Sequence, residues 1–230
     1  MNKEKFIENI LKYFPHVNSD YFISKIDIWV QVLREQNKKY NLTRLDTDEL
    51  IYRDYFWNSL LPFSKIDFSK NKSILDIGSG SGIPGIILKI VFPNLKLTIV
   101  EANLKKCKFM QLLCESLKIN DVEIINQRCE IYAHSAIEKF DFVTCRAVAE
   151  LKIILELGIP VLKIGGIGIF LKSLGYKEEI ENAQKISKQL KLSDPIIQTF
   201  SDKKTLVTIC YKKENKTNPI FPRKWKEIIS

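Results

Sequence analysis

Residues 75–85 read Leu75-Asp76-Ile77-Gly78-Ser79-Gly80-Ser81-Gly82-Ile83-Pro84-Gly85, and this stretch decides the fold. An apolar run at residues 73–77 predicts a strand before the glycines, and the apolar residues around and after Pro84 predict a helix at 84–92. Alternating glycines permit left-handed backbone conformations and let a ligand lie against the main chain. A helix that starts at proline offers free N–H groups and the positive end of its dipole to a carboxylate or a phosphate. The stretch therefore predicts a strand, a ligand-binding loop and a helix within an α/β sheet.

Beyond this unit, short apolar runs alternate with amphipathic helical patterns, and the last two apolar runs are joined by a polar turn. Strands separated by helices indicate βαβ units and a parallel sheet, whereas two strands joined by a turn indicate an antiparallel hairpin. We therefore expect an α/β fold whose mostly parallel, seven-stranded sheet ends in an antiparallel hairpin. This arrangement is typical of the Rossmann-like fold of class I S-adenosylmethionine-dependent methyltransferases rather than of dehydrogenases. The predicted strands are 73–77, 96–101, 122–126, 140–145, 168–172, 196–200 and 205–211, further helices are predicted at 105–117, 149–162 and about 177–190, and the hairpin turn is Ser201-Asp202-Lys203-Lys204.

The chain before the first predicted strand is expected to be a helical extension. Its apolar residues follow the helical period, and Pro15 ends the first helix. Ser19 or Asp20 is the expected cap of the second helix, and a third helix at 46–61 is stopped by Pro62. The expected division of the chain is an N-terminal helical extension at 1–70, a methyltransferase domain at 71–213 and a basic tail at 214–230.

Composition bounds the possible partners and locations. The 230 residues carry a formal net charge of +9, which favours an acidic partner such as nucleic acid, and 45% of them are hydrophobic, which excludes a disordered chain. Five cysteines without a C-x-x-C pair, and an N-terminus without an apolar core, predict reduced thiols and a cytoplasmic location. The most apolar stretch, 153–171, is too interrupted to span a membrane, and two histidines make a histidine-rich metal site hard to build. We expect a monomer without a metal ion or a membrane segment.

Acidic side chains follow three successive predicted strands. Asp76 precedes the first glycine of the loop, Glu101 ends the second strand, and Cys129-Glu130 follow the third. The loop also fits the G-x-G-x-x-G pattern of dinucleotide-binding proteins, and Glu101 suits the ribose of either cofactor. Asp76 favours S-adenosylmethionine, because a carboxylate there suits an ammonium group and would repel a pyrophosphate. A nicotinamide-dependent oxidoreductase remains an alternative that must explain both Asp76 and the terminal hairpin.

Five segments along the chain form a further pattern: Gln36-Asn37-Lys38-Lys39-Tyr40-Asn41-Leu42-Thr43, residues 75–86, Thr144-Cys145-Arg146-Ala147-Val148-Ala149, Gly168-Ile169-Phe170-Leu171-Lys172-Ser173 and Pro222-Arg223-Lys224. In this order they resemble segments of the bacterial small-subunit ribosomal RNA guanine-N-7 methyltransferase family. The resemblance covers most of the chain, so it is more specific than any single motif. It implies a class I fold, S-adenosylmethionine as cofactor, and methyl transfer to N-7 of a guanosine in 16S rRNA of the small ribosomal subunit.

The chain departs from this family at four positions and at its end. The family has Trp where Gln36 stands, an Arg-His pair where Asp54-Tyr55 stands, and Gly where Ser173 stands. The family's C-terminal Pro-Gly and final Lys-Lys-Pro-Leu are missing, and the sequence ends in Ile228-Ile229-Ser230. These departures touch the extension and the tail rather than the cofactor loop.

The expected chemistry needs placement more than acid–base catalysis. Guanine N-7 carries a lone pair and no proton, so it attacks a sulfonium methyl group without a general base once it lies in line with it. Arg146, just past the fourth strand, is the expected positioning residue, because doubly wound sheets bind ligands at this edge. Lys172 ends the next strand and is expected near RNA phosphate. The residues expected to bind the cofactor are Asp76, Gly78, Ser79, Gly80, Gly82, Ile83, Glu101, Cys129, Glu130 and Arg146, of which the resemblance implies Gly78, Ile83, Cys129, Glu130 and Arg146. The residues expected to contact 16S rRNA are Lys38, Lys39, Lys105, Lys106, Arg146, Lys172, Arg223 and Lys224.

Two further interpretations of the function are compatible with the residues alone. A class I methyltransferase that acts on a protein or a small molecule would have the same fold and glycine loop. A noncatalytic RNA-binding protein that kept this fold would have the same basic surface. Binding of S-adenosylmethionine would exclude the oxidoreductase, whereas failure to bind it would exclude every hypothesis in which the protein is a methyltransferase.

Overall fold

The computed structural model of the protein describes residues 1–40, 43, 47–68, 71–200 and 206–229. A seven-stranded sheet forms its centre, with the order β3-β2-β1-β4-β5-β7-β6 for strands β1 (Ser73–Ile77), β2 (Lys96–Val100), β3 (Val122–Ile125), β4 (Phe140–Arg146), β5 (Leu162–Lys172), β6 (Ile196–Thr199) and β7 (Val207–Lys212). The first five strands are mutually parallel, and β7 runs antiparallel to both β5 and β6. The predicted seven-stranded sheet with an antiparallel end is therefore confirmed, while the predicted turn at 201–204 lies outside the described residues.

The extension is helical, but its third helical segment is irregular. Asn18, rather than Ser19 or Asp20, caps the second helix, because its Oδ1 accepts a hydrogen bond from the N–H of Tyr21 at 2.9 Å. The third segment winds partly as a π-helix, which was not predicted, and residue 46, its predicted start, lies outside the described residues. The segments are α1 (Lys3–Tyr13), α2 (Ser19–Tyr40), α3 (Asp48–Leu50), the π-helical turn Ile51–Trp57, α4 (Asn58–Leu60) and a 3₁₀ turn at Leu61–Phe63.

The remaining helices correct several predicted boundaries. They are α5 (Gly85–Val91), α6 (Leu104–Leu117), α7 (Cys129–Ser135), α8 (Leu151–Gly158), α9 (Tyr176–Asn182), α10 (Gln184–Gln189) and α11 (Trp225–Ile228), of which α7 and α11 were not predicted. Gly165 and Gly166 lie within a strand rather than a turn, since both pair with the backbone of Lys213 at 2.7 and 2.9 Å. The helix predicted at about 177–190 breaks at Ala183 into α9 and α10. Leu112, an apolar residue of the predicted helix at 105–117, is exposed.

The two faces of the sheet bury two separate cores, because successive strand residues point to opposite faces. In β1, Ile74 packs on the face that is covered by the extension, α5 and α6, whereas Leu75 and Ile77 pack on the face covered by α7, α8 and the tail. Trp29 and Phe56 of the extension share a core with Ile74 and are fully buried. Side chains of this size contribute about 2–3 kcal/mol each when buried, so the extension is firmly packed on the sheet. None of the described helices is long and apolar enough to cross a membrane.

Candidate functional site

The glycine loop connects β1 to α5 at the carboxyl edge of the sheet. Gly78, Gly80 and Gly82 all have positive φ, at 66°, 62° and 100°, so the conformational expectation for the three alternating glycines is confirmed. The loop closes as a turn, with the N–H groups of Gly82 and Ile83 donating to the carbonyl of Ser79 at 3.0 and 3.1 Å. A Cβ on Gly80 would meet nothing within 4 Å, so open space lies against the main chain at this point.

Asp76 lies beneath the loop and is completely buried. Its Oδ2 accepts a hydrogen bond from the N–H of Gly85 at 2.8 Å. A Cβ on Gly85 would lie only 2.7 Å from that oxygen, so the close approach requires glycine. Among the described residues, neither Asp76 Oδ1 nor the hydroxyl of Ser79 has a hydrogen-bond partner. Burial raises the pKa of Asp76 to about 7. Two buried polar atoms left unpaired beside a loop with open space are typical of a site that a polar ligand completes.

Glu101 follows β2 and connects it to the glycine loop. It is nearly buried, and its Oε2 accepts from the N–H of Gly80 at 3.1 Å while its Oε1 accepts from the N–H of Asn103 at 2.9 Å. The carboxylate is thereby held beside the open space at Gly80. A carboxylate in this position at the end of a second strand suits two adjacent hydroxyl groups.

Cys129 and Glu130 begin α7 at the end of the third strand, and both are buried. Burial raises the pKa of the Cys129 thiol to about 12, so this thiol stays protonated and is no nucleophile. Glu130 accepts a hydrogen bond from Nε of Arg128 at 2.5 Å, and the Arg128 guanidinium also lies 4.4 Å from the ring centroid of Trp225. Arg128 and Trp225 were missed by the sequence analysis, because no local pattern connects residues so far apart in the chain.

Arg146 ends β4 and contacts the extension. Its guanidinium donates to the carbonyl of Asp54 at 2.6 Å, to the carbonyl of Tyr55 at 3.2 Å and to the hydroxyl of Ser59. These acceptors are neutral, and burial lowers the pKa of Arg146. The hydroxyl of Tyr55 in turn donates to the carbonyl of Ser81 at 2.7 Å. The π-helical turn therefore connects the glycine loop to the end of β4, a role that the sequence analysis did not assign to it.

A cavity of about 510 Å³ opens at the carboxyl ends of β4 and β5. Arg146, Lys172, Glu179 and Val148 are among its lining residues. Val148 also touches the glycine loop, since a Cβ on Gly78 would lie 2.9 Å from its Cγ2. The cavity is therefore separated from the glycine loop by a single side chain, and its volume lies within the range of small-molecule sites.

The predicted RNA contacts divide into exposed and paired cations. Lys172 donates to Glu179 at 2.5 Å and has a side chain that is only 8% exposed. Arg223 makes a two-pronged contact with the buried carboxylate of Glu156, at 2.8 and 2.6 Å, which holds the tail against α8. Both charges are therefore paired with a carboxylate of the chain. Among the described residues, the expected RNA-binding cations without a short carboxylate contact are Lys38, Lys39, Lys105 and Lys224, which are exposed, Lys106, which is half-buried, and Arg146, whose hydrogen bonds go to neutral acceptors.

Two groups of these lysines lie at the same edge as the glycine loop. At the amino edge, Lys25 of α2 donates to the carbonyl of Leu117, the last residue of α6, at 2.6 Å. Further along α2, Trp29 lies at the carboxyl edge, 3.2 Å from the Cβ position of Gly82. The two helices thus run in opposite directions, and the end of α2 lies on the same side as the start of α6. Lys38 and Lys39 are in the last turn of α2, and Lys105 and Lys106 are in the first turn of α6.

The described side chains do not bring three or more His, Cys, Asp or Glu residues together in a way that could hold a metal ion.

Comparison with known proteins identifies close relatives of the whole chain. A family model described as GidB, rRNA small subunit methyltransferase G, matches residues 22–208. The chain is 51% identical over 233 residues to the ribosomal RNA small subunit methyltransferase G of Malacoplasma penetrans, with 100% of this chain and 98% of the relative covered. It is 35% identical over 230 residues to the protein of the same name from Bacillus cereus, with 97% and 95% covered.

Solved structures of low sequence identity share the fold. The tRNA (m1A58) methyltransferase TrmI from Aquifex aeolicus matches with a TM-score of 0.54 at 16% identity, covering 69% of this chain and 68% of that one. The M. jannaschii TYW2 in complex with AdoMet matches with a TM-score of 0.53 at 16% identity, covering 68% and 77%. Together with the strand order, these likenesses confirm the predicted class I methyltransferase fold.

Proposed function

The chain belongs to the rRNA small subunit methyltransferase G family, and on this premise we propose that it transfers a methyl group from S-adenosylmethionine to N-7 of a guanosine in 16S rRNA. The observation that carries the proposal is the juxtaposition at the carboxyl edge. A buried carboxylate, one oxygen of which has no partner among the described residues, lies under a glycine loop, and a cavity for the methyl acceptor lies one side chain away. The finer assignments, a monomer that acts in the cytoplasm on the small ribosomal subunit, are part of the same proposal.

The residues of the glycine loop fit S-adenosylmethionine. We assign the unpaired Oδ1 of Asp76 and the hydroxyl of Ser79 to the polar end of its methionine moiety, and the carboxylate of Glu101 to its ribose hydroxyls. When bound, the cofactor supplies a sulfonium methyl group. The other proposed cofactor contacts are Gly78, Gly80, Gly82, Ile83, Cys129, Glu130 and Arg146.

The proposed mechanism is one of placement. Guanine N-7 has a lone pair in the plane of the base and carries no proton, so the transfer requires alignment of nucleophile, methyl group and leaving sulfur rather than a general base. Arg146 serves this alignment by fixing the π-helical turn beside the cavity. Tyr55 extends the same support to the glycine loop through Ser81.

The proposed RNA contacts extend from this edge. Lys38 and Lys39 at the end of α2, Lys105 and Lys106 at the start of α6, and Lys224 in the tail offer charge to phosphates. Contacts of this kind release counterions, so the affinity for RNA should fall steeply with salt.

The test uses methyl-labelled S-adenosylmethionine and small ribosomal subunits from a strain that lacks this enzyme. After incubation, RNA and protein are separated and the RNA is digested to nucleosides. We expect the label in 7-methylguanosine with the wild-type protein, and much less with the variant Arg146→Ala. Label in ribosomal protein, or none despite cofactor binding, would overturn the assignment to RNA and leave a methyltransferase of another substrate class.

A further inference from the structure

Lys172 is a buried cation that is held rigidly at the wall of the cavity. Its Nζ donates to the carbonyl of Ala149 at 2.7 Å and to Oε2 of Glu179 at 2.5 Å. The same carboxylate oxygen accepts from the N–H of Leu151 at 2.7 Å, so Glu179 is itself fixed on the start of α8. An ammonium group has three N–H bonds, and the two contacts leave one of them for a ligand in the cavity.

Burying the Lys172 ammonium removes a charge from water and is costly unless it is paired, and its partner Glu179 keeps 28% of its side chain exposed. Apolar side chains of equal volume often stabilise a fold as well as a buried charge pair does. A surface lysine would serve a phosphate at lower cost. What the pair provides is a hydrogen-bond donor with a fixed direction and no net charge, since Glu179 compensates the ammonium.

The chemistry of the proposed acceptor needs such a donor. Guanine presents two acceptors on one edge, N-7 and O6, whereas adenine presents N-7 beside an amino group that is itself a donor. N-7 must stay free to face the methyl group, so the neighbouring O6 is the acceptor on this edge to which the enzyme can donate a hydrogen bond. Methylation leaves a positive charge on the base, which a lone cation would repel and a neutral ion pair would repel far less.

We propose that Lys172 donates a hydrogen bond to O6 of the guanine that is methylated, and so selects guanine over adenine, with Glu179 as the positioning residue. The inference rests on the proposed function, because it names how that same site recognises its base. It differs from a phosphate contact, which would be indifferent to the base.

The test is a cycle of protein and base substitutions. The target guanosine, once located by nucleoside mapping, is replaced in reconstituted subunits by 2-aminopurine riboside, which keeps N-7 but has hydrogen in place of O6. Methylation of N-7 is measured in single-turnover reactions for the wild-type protein and for Lys172→Met. We expect the wild type to methylate guanine about 10- to 100-fold faster than 2-aminopurine, since a hydrogen bond to a charged group is lost. The ratio of the rates on guanine and 2-aminopurine should be about 10- to 100-fold smaller for Lys172→Met than for the wild type, because intrinsic reactivity cancels when the two ratios are compared.

A matched control comes from the same strand. Lys163 of β5 forms an ion pair with Asp141 at 3.0 Å, but at the opposite, amino edge of the sheet. Lys163→Met should keep the wild-type preference for guanine. Cofactor binding and thermal unfolding of both variants report whether they fold.

The base preference of Lys172→Met distinguishes a contact to O6 from other roles of Lys172. A Lys172→Met protein that prefers guanine as strongly as the wild type overturns the inference and reassigns Lys172 to a phosphate or to structure. If this variant does not fold, rates of the wild type that are equal on the two bases within about threefold overturn the inference, because the missing hydrogen bond should cost the wild type at least about tenfold. Absence of 7-methylguanosine from unmodified subunits would instead overturn the proposed function, and the inference with it.

Glu179 is tested by conservative rescue. Glu179→Gln keeps an oxygen that can accept from Lys172 and should retain part of the preference for guanine, whereas Glu179→Ala should lose it. A purely structural role would lower the stability of both variants and leave the ratio of rates on the two bases unchanged.

Discussion

The carboxyl edge of the sheet has two halves that are built in opposite ways. At β1 and β2, Asp76 Oδ1 and the Ser79 hydroxyl are buried and, among the described residues, unpaired. At β4 and β5, the partly buried cations Arg146 and Lys172 are already bonded to groups of the chain itself. The first half is completed by a ligand, whereas the second is completed by the extension and by α9.

This difference assigns different tasks to the two halves. Unpaired polar atoms cost stability until a ligand pairs them, so the β1–β2 half gains most from a small polar molecule. Side chains that the protein holds in place cost no reordering when a second molecule arrives, so the β4–β5 half is suited to orient a reactant. Substitutions in the two halves should therefore have separate effects, on cofactor binding at β1–β2 and on methyl transfer at β4–β5.

The largest effect is expected from Arg146→Ala. Loss of its three contacts detaches the π-helical turn from β4, so methylation should fall by about 100-fold and the free energy of unfolding by about 3 kcal/mol. Initial rates of label transfer measure the methylation activity, and denaturant unfolding measures the free energy of unfolding. The control is Arg53→Ala, which removes an exposed arginine of the same turn and should cost no more than about 0.5 kcal/mol. Full activity of Arg146→Ala would mean that the β4–β5 half does not orient the reactants.

Two glycine substitutions separate packing from binding in the other half. A Cβ on Gly85 would lie 2.7 Å from Asp76 Oδ2 and 3.1 Å from a methyl carbon of Leu97, so Gly85→Ala should lower the free energy of unfolding by about 2 kcal/mol and displace the carboxylate. A Cβ on Gly80 meets nothing, and Gly80→Ala should cost only about 1 kcal/mol for its positive φ.

Cofactor affinity then shows whether the open space at Gly80 is where the cofactor lies. Calorimetric titration should give a clear loss of S-adenosylmethionine affinity for Gly80→Ala, although its fold is kept. Unchanged affinity in a folded Gly80→Ala protein would place the cofactor elsewhere.

The pH dependence of cofactor binding tests Asp76 directly. Burial raises its pKa to about 7 from 3.8, so the folded protein without cofactor holds a proton that the unfolded chain has released. Its contribution to stability therefore falls as pH rises from about 4 to about 7 and is constant above that. A ligand ammonium requires the ionised carboxylate, so affinity for S-adenosylmethionine should rise about fivefold between about pH 6 and about pH 7.

The control for this pH effect is a carboxylate at the other end of the sheet. Asp76→Asn should bind the cofactor weakly and with a flat pH profile, while Asp141→Asn, at the amino end of β4, should keep the wild-type slope. A sloping profile in Asp76→Asn would assign the titration to another group.

The sequence predicted the β1–β2 half, which a ligand completes, better than the β4–β5 half, which other parts of the chain complete, and the reason is physical. Asp76 and Glu101 lie near or directly after the ends of short apolar runs that predict strands, so their place at one edge follows from local pattern and sheet topology. The partner of Arg146 is a backbone segment about ninety residues earlier, whose π-helical winding adds no local signal. The pairing of Lys172 with Glu179 also depends on how α9 folds back over β5, which no periodicity encodes.

The predicted boundaries of strands and helices are wrong where tertiary contacts override local preference. The two consecutive glycines of β5 resemble a turn in sequence, yet pairing with Lys213 keeps them in the sheet. The segment that forms α7 was interpreted only as cofactor contacts, because Cys129 and Glu130 stand directly after a strand. Arg223 was expected at RNA, and its carboxylate partner Glu156 lies 67 residues away on another helix.

The smallest effect is expected from the lysines in the first turn of α6, which flank the β1–β2 half. Lys105→Gln and Lys106→Gln each remove one charge from the first turn of α6, and each should lower the rate of methylation at limiting subunit concentration by about threefold near physiological salt. Each lost phosphate contact should also reduce the slope of log affinity against log salt concentration by somewhat under one. Lys163→Gln, at the amino edge, is the control and should change neither quantity. If the α6 variants keep the full slope while Lys163→Gln loses part of it, the RNA approaches from the opposite edge, and the carboxyl edge cannot serve both cofactor and RNA as proposed.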